Sequence, residues 1–192
     1  MAASSCAPEA RGRHVSDRRR FETLVLPHLD AAYNLARWLL RDAAAAEDAV
    51  QEASLRAFRY IDSPRGDDAR AWLLGIVRNT CFTVLERRRD APEVVEFDDA
   101  EFEAALGAVE HDGADPAKQL EQRRLRTLID AAIRALAPAL REVIVLREFE
   151  DLDYAQIAQI VAVPVGTVMS RLSRAREKMR SVLTQSNLGP SR

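Results

Sequence analysis

The sequence predicts an all-α protein made of two small helical domains, the second with a helix-turn-helix, joined by an acidic flexible linker. Apolar residues recur at spacings of three and four through both halves of the 192-residue chain. Only 7 Gly and 8 Pro are present, and aromatic residues make up 6%, a composition that disfavours turn-rich all-β folds. Acidic residues concentrate in one central segment, which separates the two helical parts.

The composition also indicates the compartment. Hydrophobic residues make up 47% and charged residues 30%, as is usual for soluble globular proteins. The first residues lack the apolar core of a secretory signal, and no apolar run approaches the ~18 residues that a membrane span needs. Cys6 and Cys81 lie far apart, which argues against a disulfide scaffold or a cysteine zinc site. We therefore expect a cytoplasmic protein without membrane insertion.

The first domain is predicted over residues 21–90, after a disordered tail over residues 1–20 that mixes Ala, Ser, Pro and Arg without periodicity. Its first helix carries Leu35 and Leu39 on one apolar face. Pro27 is expected to bend or restart that helix, because proline donates no hydrogen bond to the preceding turn.

Two further helices complete the first domain, from about 43 to 61 and from about 68 to 89, with turn-forming residues between them. The apolar positions of the two stripes are Val50, Ala53, Ala57, Phe58 and Ile61, then Leu73, Val77, Cys81 and Val84. Cys81 is interpreted as a buried, inert thiol. Trp72 is interpreted as a core anchor, with a stacking platform as the alternative.

The acidic linker is predicted over residues 91–118. Residues 91–119 hold one Lys and nine acidic residues, a net charge of −8, whereas the rest of the chain carries +6. The overall charge of −2 is therefore no argument against nucleic-acid binding, since the distribution of charge sets the local field. A solvated connection with no role of its own is the alternative for this segment.

The second domain is predicted over residues 119–185, followed by a tail over residues 186–192. Its helices are expected at about 119–136, 138–149, 154–161 and 165–184. The last two form a helix-turn-helix, whose second helix begins after Pro164. That helix places Val168, Leu172, Ala175 and Met179 inward and shows Arg171, Arg174, Arg176, Lys178 and Arg180 on its other side. Such a helix fits a DNA major groove; an ordinary charged surface helix is the alternative.

Two blocks of residues resemble one known family. The stretches Ala137-Pro138 to Arg147-Glu148, Leu152-Asp153-Tyr154 and Val163 to Arg176 look like region 4 of the extracytoplasmic-function (ECF) sigma factors of the sigma-70 family. Region 2 of the same family resembles the stretches Ala46–Glu52, Arg56–Arg59, Ser63–Asp67, Ala71–Leu73 and Arg78–Thr80. Both blocks occur in the family's order with a linker between them, which is far more specific than a helix-turn-helix alone.

The resemblance implies three binding sites. The minus-35 promoter element would be bound by Pro164, Gly166, Thr167, Ser170, Arg171, Arg174, Arg176 and Lys178, with Arg171 and Arg174 on an exposed face nearest the bases. The minus-10 element, with a flipped base, would be bound by Ser63, Arg65, Gly66, Asp67, Arg78, Asn79, Arg87 and Arg88. Core RNA polymerase would be bound by Asp48, Gln51, Glu52 and Leu55. For this last stripe, a solvated face with an intrahelical Glu52–Arg56 pair is the alternative.

The resemblance also implies partners and a role. The expected partners are the β′ clamp and β flap of core RNA polymerase, promoter DNA and an anti-sigma factor. The expected role is transcription initiation at stress or envelope-response genes. The linker would mimic a nucleic acid within the polymerase. Ala69, Gln156, Gln159 and Met169 depart from the usual family residues and are expected to alter promoter preference.

Other function classes remain as alternatives. A sigma-like adaptor or decoy would bind an anti-sigma protein without DNA, and a conventional helix-turn-helix regulator would leave the first domain unexplained. An enzyme is not expected, because His14, His28 and His111 are scattered and no phosphate-binding glycine loop is present. No metal or other cofactor is expected.

Overall fold

A computed structural model describes residues 8–62, 68–90 and 116–187, with side chains over 16–62, 68–90 and 119–185. Within these ranges the chain forms helices joined by short turns and no strand. The helices are α1 Pro8–Leu24, α2 Leu29–Leu40, α3 Ala43–Arg59, α4 Ala69–Asp90, α5 Pro116–Arg134, α6 Pro138–Glu148, α7 Tyr154–Val161 and α8 Val165–Asn187. The predicted all-α class is confirmed.

The first half is a bundle in which α2, α3 and α4 pack on one another. A 3₁₀ turn at Leu26–His28 contains Pro27 and separates α1 from α2, as the sequence predicts. Arg41 ends α2 in a left-handed conformation, φ 60°. Asp42 then begins α3, because its carboxylate accepts a hydrogen bond from the Ala45 amide at 3.0 Å.

Two predictions for this half are wrong in detail. Residues Pro8–Arg20 belong to α1 and are not a tail without regular structure. The end of this helix is held by contacts that periodicity does not reveal: Phe21 packs edge-on against Phe58, and Arg20 pairs with Asp62 at 2.7 Å. Phe58, expected in the core, is 39% exposed, since the buried face of α3 is lined instead by alanines.

The second half joins α5, α6, α7 and α8, and α8 packs on all three of the others. Its first helix, α5, begins at Pro116, slightly inside the predicted linker. Asp153 forms a capping box with Gln156 at the start of α7. Ala162 ends α7 in a left-handed conformation, φ 54°, and α8 then leaves at 99° to α7. The predicted helix-turn-helix is thus present. The rest of the predicted linker, residues 91–115, lies outside the described residues.

The two halves pack against each other. Helix α2 contacts α6, α4 contacts α7, and one apolar core runs through both halves. Trp38 of α2 lies against Phe149 after α6, with ring centroids 5.2 Å apart. Arg141 of α6 is buried at this junction and donates to the carbonyl oxygens of Trp38 and Leu39, at 2.9 and 3.3 Å. The end of α2 is therefore bound directly to the second half.

Candidate nucleic-acid interface

The recognition helix of the helix-turn-helix is α8. Its inner face is anchored by Val168, Leu172 and Ala175, all buried. Contacts with α6 and α7 fix its position: Arg176 pairs with Glu148 at 2.8 Å, and this carboxylate, together with the Tyr154 side chain, raises the pKa of Arg176. The outer face of α8 therefore lies in a defined orientation, as a groove-reading helix requires.

The residues predicted to bind the minus-35 element do not all lie on that outer face. Gly166, Ser170, Arg174 and Lys178 form one exposed row at spacings of four. Pro164 and Arg176 are exposed as well, whereas Thr167 and Arg171 are half-buried. The prediction that Arg171 stands on the exposed face is wrong, because this side chain turns towards α6.

Glu142 is the reason for the orientation of Arg171. Its side chain is completely buried on α6, and it accepts a hydrogen bond from Arg171 Nη1 at 3.0 Å. It also accepts from Arg78 on α4, Nε at 2.7 Å and Nη2 at 3.4 Å. Burial raises the pKa of Glu142, against the opposite effect of the two guanidinium groups. One carboxylate thus joins two arginines that the sequence assigns to two different DNA sites.

The residues predicted to bind the minus-10 element are only partly described. Asn79 and Arg87 are exposed on α4, whereas Arg78 is half-buried and lies 4.3 Å over the Phe82 ring. Ser63, Arg65, Gly66 and Asp67 lie outside the described residues.

Arg88 has a structural role in the first half. Its guanidinium bonds the Asp42 carboxylate at 2.9 Å and the Leu40 carbonyl at 3.4 Å, which ties α4 to the junction of α2 and α3. The hydrogen bond from Ala45 and the contact with Arg88 lower the pKa of Asp42, against the opposing effect of burial. Arg88 was predicted to bind the minus-10 element, and sequence spacing does not show its contact with Asp42 and Leu40.

The predicted polymerase-binding residues share one exposed stripe of α3. Asp48, Gln51, Glu52 and Leu55 are all exposed, and Leu55 is 60% exposed. The intrahelical Glu52–Arg56 pair considered as the alternative is present as well, at 2.8 Å. An exposed leucine beside acidic side chains is suited to a partner that offers both apolar and basic groups.

Further residues at the junction of the halves were missed by the sequence analysis. Arg70 pairs with the buried Glu150, and Gln156 donates to Asp68 at 2.8 Å. The backbone hydrogen bond from Ala71 and the contact with Gln156 lower the pKa of Asp68, against the opposing effect of burial. These pairs are 80 and 88 residues apart, so no local sequence pattern identifies them.

Other predictions concern the core and possible ligands. Cys81 is completely buried, and burial raises its pKa to about 12, as expected of an inert thiol. Trp72 is half-buried against the apolar core. Within the described ranges, no cluster of three or more His, Cys, Asp or Glu side chains could hold a metal ion. In the same ranges no single helix could span a membrane by length and apolar content; only the bent pair α7 and α8 meets that test jointly.

Comparisons with known proteins identify the family. The chain matches the family models "Sigma-70 region 2" over residues 24–91 and "Sigma-70, region 4" over residues 126–179. It is 36% identical to the RNA polymerase sigma-H factor of Pseudomonas aeruginosa, covering 87% of this chain and 88% of that relative. It is 40% identical to the ECF RNA polymerase sigma-E factor of Escherichia coli K12, covering 68% and 69%.

Solved structures show the same fold. The sigma factor RpoE of Bartonella quintana, in complex with the anti-sigma factor NepR, matches with a TM-score of 0.66 and 26% identity, covering 85% of this chain and 96% of that one. CnrH, in complex with the cytosolic domain of CnrY, matches with a TM-score of 0.58 and 24% identity, covering 88% and 90%. The chain belongs to the sigma-70 family of RNA polymerase sigma factors, in its ECF group. The predicted function in promoter-directed transcription initiation is confirmed at this level.

Proposed function

We propose that the outer face of α8 reads the minus-35 element while the exposed stripe of α3 binds core RNA polymerase. The observation that carries the first assignment is the row Gly166, Ser170, Arg174 and Lys178, exposed on a helix whose opposite face is anchored in the core. Small residues at the start of the row allow close approach to base edges, where Arg174 can donate to a base, and Lys178 at the end of the row attracts phosphate.

Arg174 is the residue that tests this assignment. Its side chain is exposed, whereas Arg171 is already paired with Glu142. In holoenzyme assembled from the full chain and core polymerase, Arg174→Ala should weaken binding to the preferred upstream element by ~1–3 kcal/mol and relax base preference there. Competition binding with a set of single-base-pair variants of that element measures both effects.

Arg126→Ala is the matched control, because Arg126 is an exposed arginine on α5 of the same half. It should change neither affinity nor preference by a comparable amount. An equal loss for Arg174→Ala on every sequence would reduce Arg174 to a phosphate contact. Normal discrimination by Arg174→Ala would show that this row does not read bases.

The proposal extends to regulation and compartment. An anti-sigma partner is supported by the similarity to RpoE of Bartonella quintana, whose structure was solved with the anti-sigma factor NepR. Release from such a partner under stress would let this cytoplasmic chain bind polymerase. Nucleic-acid mimicry by the acidic segment 91–118 and contact with the β flap belong to the same proposal and rest on family resemblance.

A further inference from the structure

The outer face of α8 contains an apolar pair that DNA-phosphate attraction does not explain. Val165 is 42% exposed and Met169 is 53% exposed, and they lie four residues apart on one side of the helix. Their row, which continues to Ser173, runs beside the row of Gly166, Ser170 and Arg174. Two large apolar side chains therefore stand in the face that the proposed function directs at DNA.

The surroundings of the pair indicate its occupant. Helix α8 has five basic residues and one acidic residue between Val165 and Asn187, so the face attracts a polyanion rather than an apolar core. Along the edges of the bases in the major groove, the thymine C5-methyl is the apolar group, and the other groups are hydrogen-bond donors and acceptors. An apolar side chain placed against those polar groups would desolvate them without compensation.

We infer that Val165 and Met169 form a thymine-methyl reader on the recognition helix, which selects T·A base pairs in the upstream promoter element. This inference rests on the proposed function of α8 and specifies which base it selects. Met169 is flexible and polarizable, so it can adapt to a methyl group. Ser170, in the adjacent row, donates its hydroxyl hydrogen to the Thr167 carbonyl and offers its oxygen as an acceptor to a neighbouring base edge.

The helix geometry sets the spacing of the selected bases. Four residues of helix rise about 6 Å, and successive base pairs are about 3.4 Å apart. Val165 and Met169 can therefore contact thymines within about two base-pair steps of each other. Arg171 is not needed for this contact, since its guanidinium is directed at Glu142.

Replacing thymine by uracil removes the methyl group alone and gives the direct test. The full chain, assembled with core polymerase, is used to select an upstream element from promoter-length duplexes with about ten randomised base pairs. The selected duplex is then made with uracil at single thymines of the element. A duplex with thymine at a contacted position should bind about fourfold more tightly than the same duplex with uracil there. This is the ratio that ~0.8 kcal/mol per buried methyl-sized group gives. Uracil at thymines outside the element should have no effect.

Two variants assign the effect to the pair. With Val165→Ser and Met169→Gln combined, thymine and uracil duplexes should bind equally, because the apolar contacts to the C5-methyl are removed. Leu125→Gln is the matched control, because Leu125 is 54% exposed on α5; it should keep the fourfold ratio. Thermal unfolding of each variant establishes that the fold is retained.

The outcomes separate the inference from the proposed function. Equal binding of thymine and uracil duplexes by the unmodified chain overturns the methyl reader but leaves promoter reading by α8 intact. Variants that lose affinity equally for both duplexes also overturn it, and indicate that the pair binds protein or backbone. Selection of no upstream element from the randomised duplexes would instead contradict the proposed function itself.

Discussion

Arg141 directs all five of its N–H donors at main-chain carbonyl oxygens. Besides Trp38 and Leu39 it bonds the carbonyls of Ile133, Arg134 and Leu136 at the end of α5, at 2.8–3.3 Å. Burial, with nearby Arg41 and Arg134, lowers its pKa to about 10, so it remains charged at neutral pH. One side chain thus binds carbonyls at the ends of helices from both halves, where the last carbonyls of a helix lack intrahelical donors.

Lysine cannot replace this arginine, because an ammonium group has three donors and no planar fork. Arg141→Lys should leave buried carbonyls unpaired and lower the free energy of unfolding by about 2–4 kcal/mol. Urea unfolding followed by circular dichroism measures this loss. Arg180→Lys, an exposed change on α8, should cost less than about 0.5 kcal/mol. Equal stabilities for the two variants would contradict the role assigned to Arg141.

At the scale of the helices, the exposed stripe of α3 separates binding from stability. The buried face of α3 consists of Ala46, Ala49, Ala53 and Ala57, so the helix is held without its outer residues. The Glu52–Arg56 pair is exposed on both sides and contributes only ~0.3–0.5 kcal/mol. Substitutions in the stripe therefore test binding with little effect on folding.

Reversing two charges in the stripe should weaken polymerase binding. Asp48→Lys combined with Glu52→Lys would repel a basic partner surface, while thermal unfolding should change little. The measurement is competition for core polymerase against the unmodified chain. Glu86→Lys combined with Asp90→Lys is the control, because these acidic residues are also exposed and four apart, on α4. If the α3 variant competes as well as the unmodified chain, the stripe does not bind polymerase and is a solvated face.

The helices were largely predictable from sequence, because their causes are local. Pro27, the cap at Asp153 and the apolar periodicity of α8 mark elements through neighbours a few residues apart. Helix α1 was missed because its residues before Phe21 show no apolar stripe, and it is fixed by Phe58 and Asp62 from other elements. The residues of the site on α8 were predictable from sequence. The orientation of the Arg171 side chain was not, because it depends on Glu142, which lies 29 residues away in the sequence.

For the whole molecule, the packing of one half on the other could not be predicted from sequence. Its polar contacts join residues 64 to 116 positions apart, such as Arg78 with Glu142 and Asn34 with Glu150. Patterns within a helix show which face is apolar, but they do not show that two such faces meet. The sequence therefore predicted two domains, whereas the structure shows one continuous core.

Glu142→Gln should loosen the contact between the halves. Glutamine keeps an acceptor but removes the negative charge that Arg78 and Arg171 neutralise. We expect the free energy of unfolding to fall by about 1–3 kcal/mol and not more, because both arginines still reach water. Small-angle scattering should show a larger radius of gyration. Glu148→Gln is the control, because Glu148 also pairs with an α8 arginine but is exposed; its radius should not change. The same radius for Glu142→Gln and the unmodified chain would show that this carboxylate does not hold the halves together.

Because Glu142 is buried, Arg78 and Arg171 share its single negative charge, and the interaction of each depends on that of the other. A phosphate group that drew Arg171 away would leave Arg78 as the remaining neighbour compensating a carboxylate without access to water, and Glu142 would bind a proton more readily. Suppose that a phosphate bound to Arg171 changes the affinity of Arg78 for a second ligand. By thermodynamic reciprocity, that second ligand would change the affinity of Arg171 for phosphate by the same free energy. Binding events at the two halves would thus be coupled through the counter-ion that both arginines share.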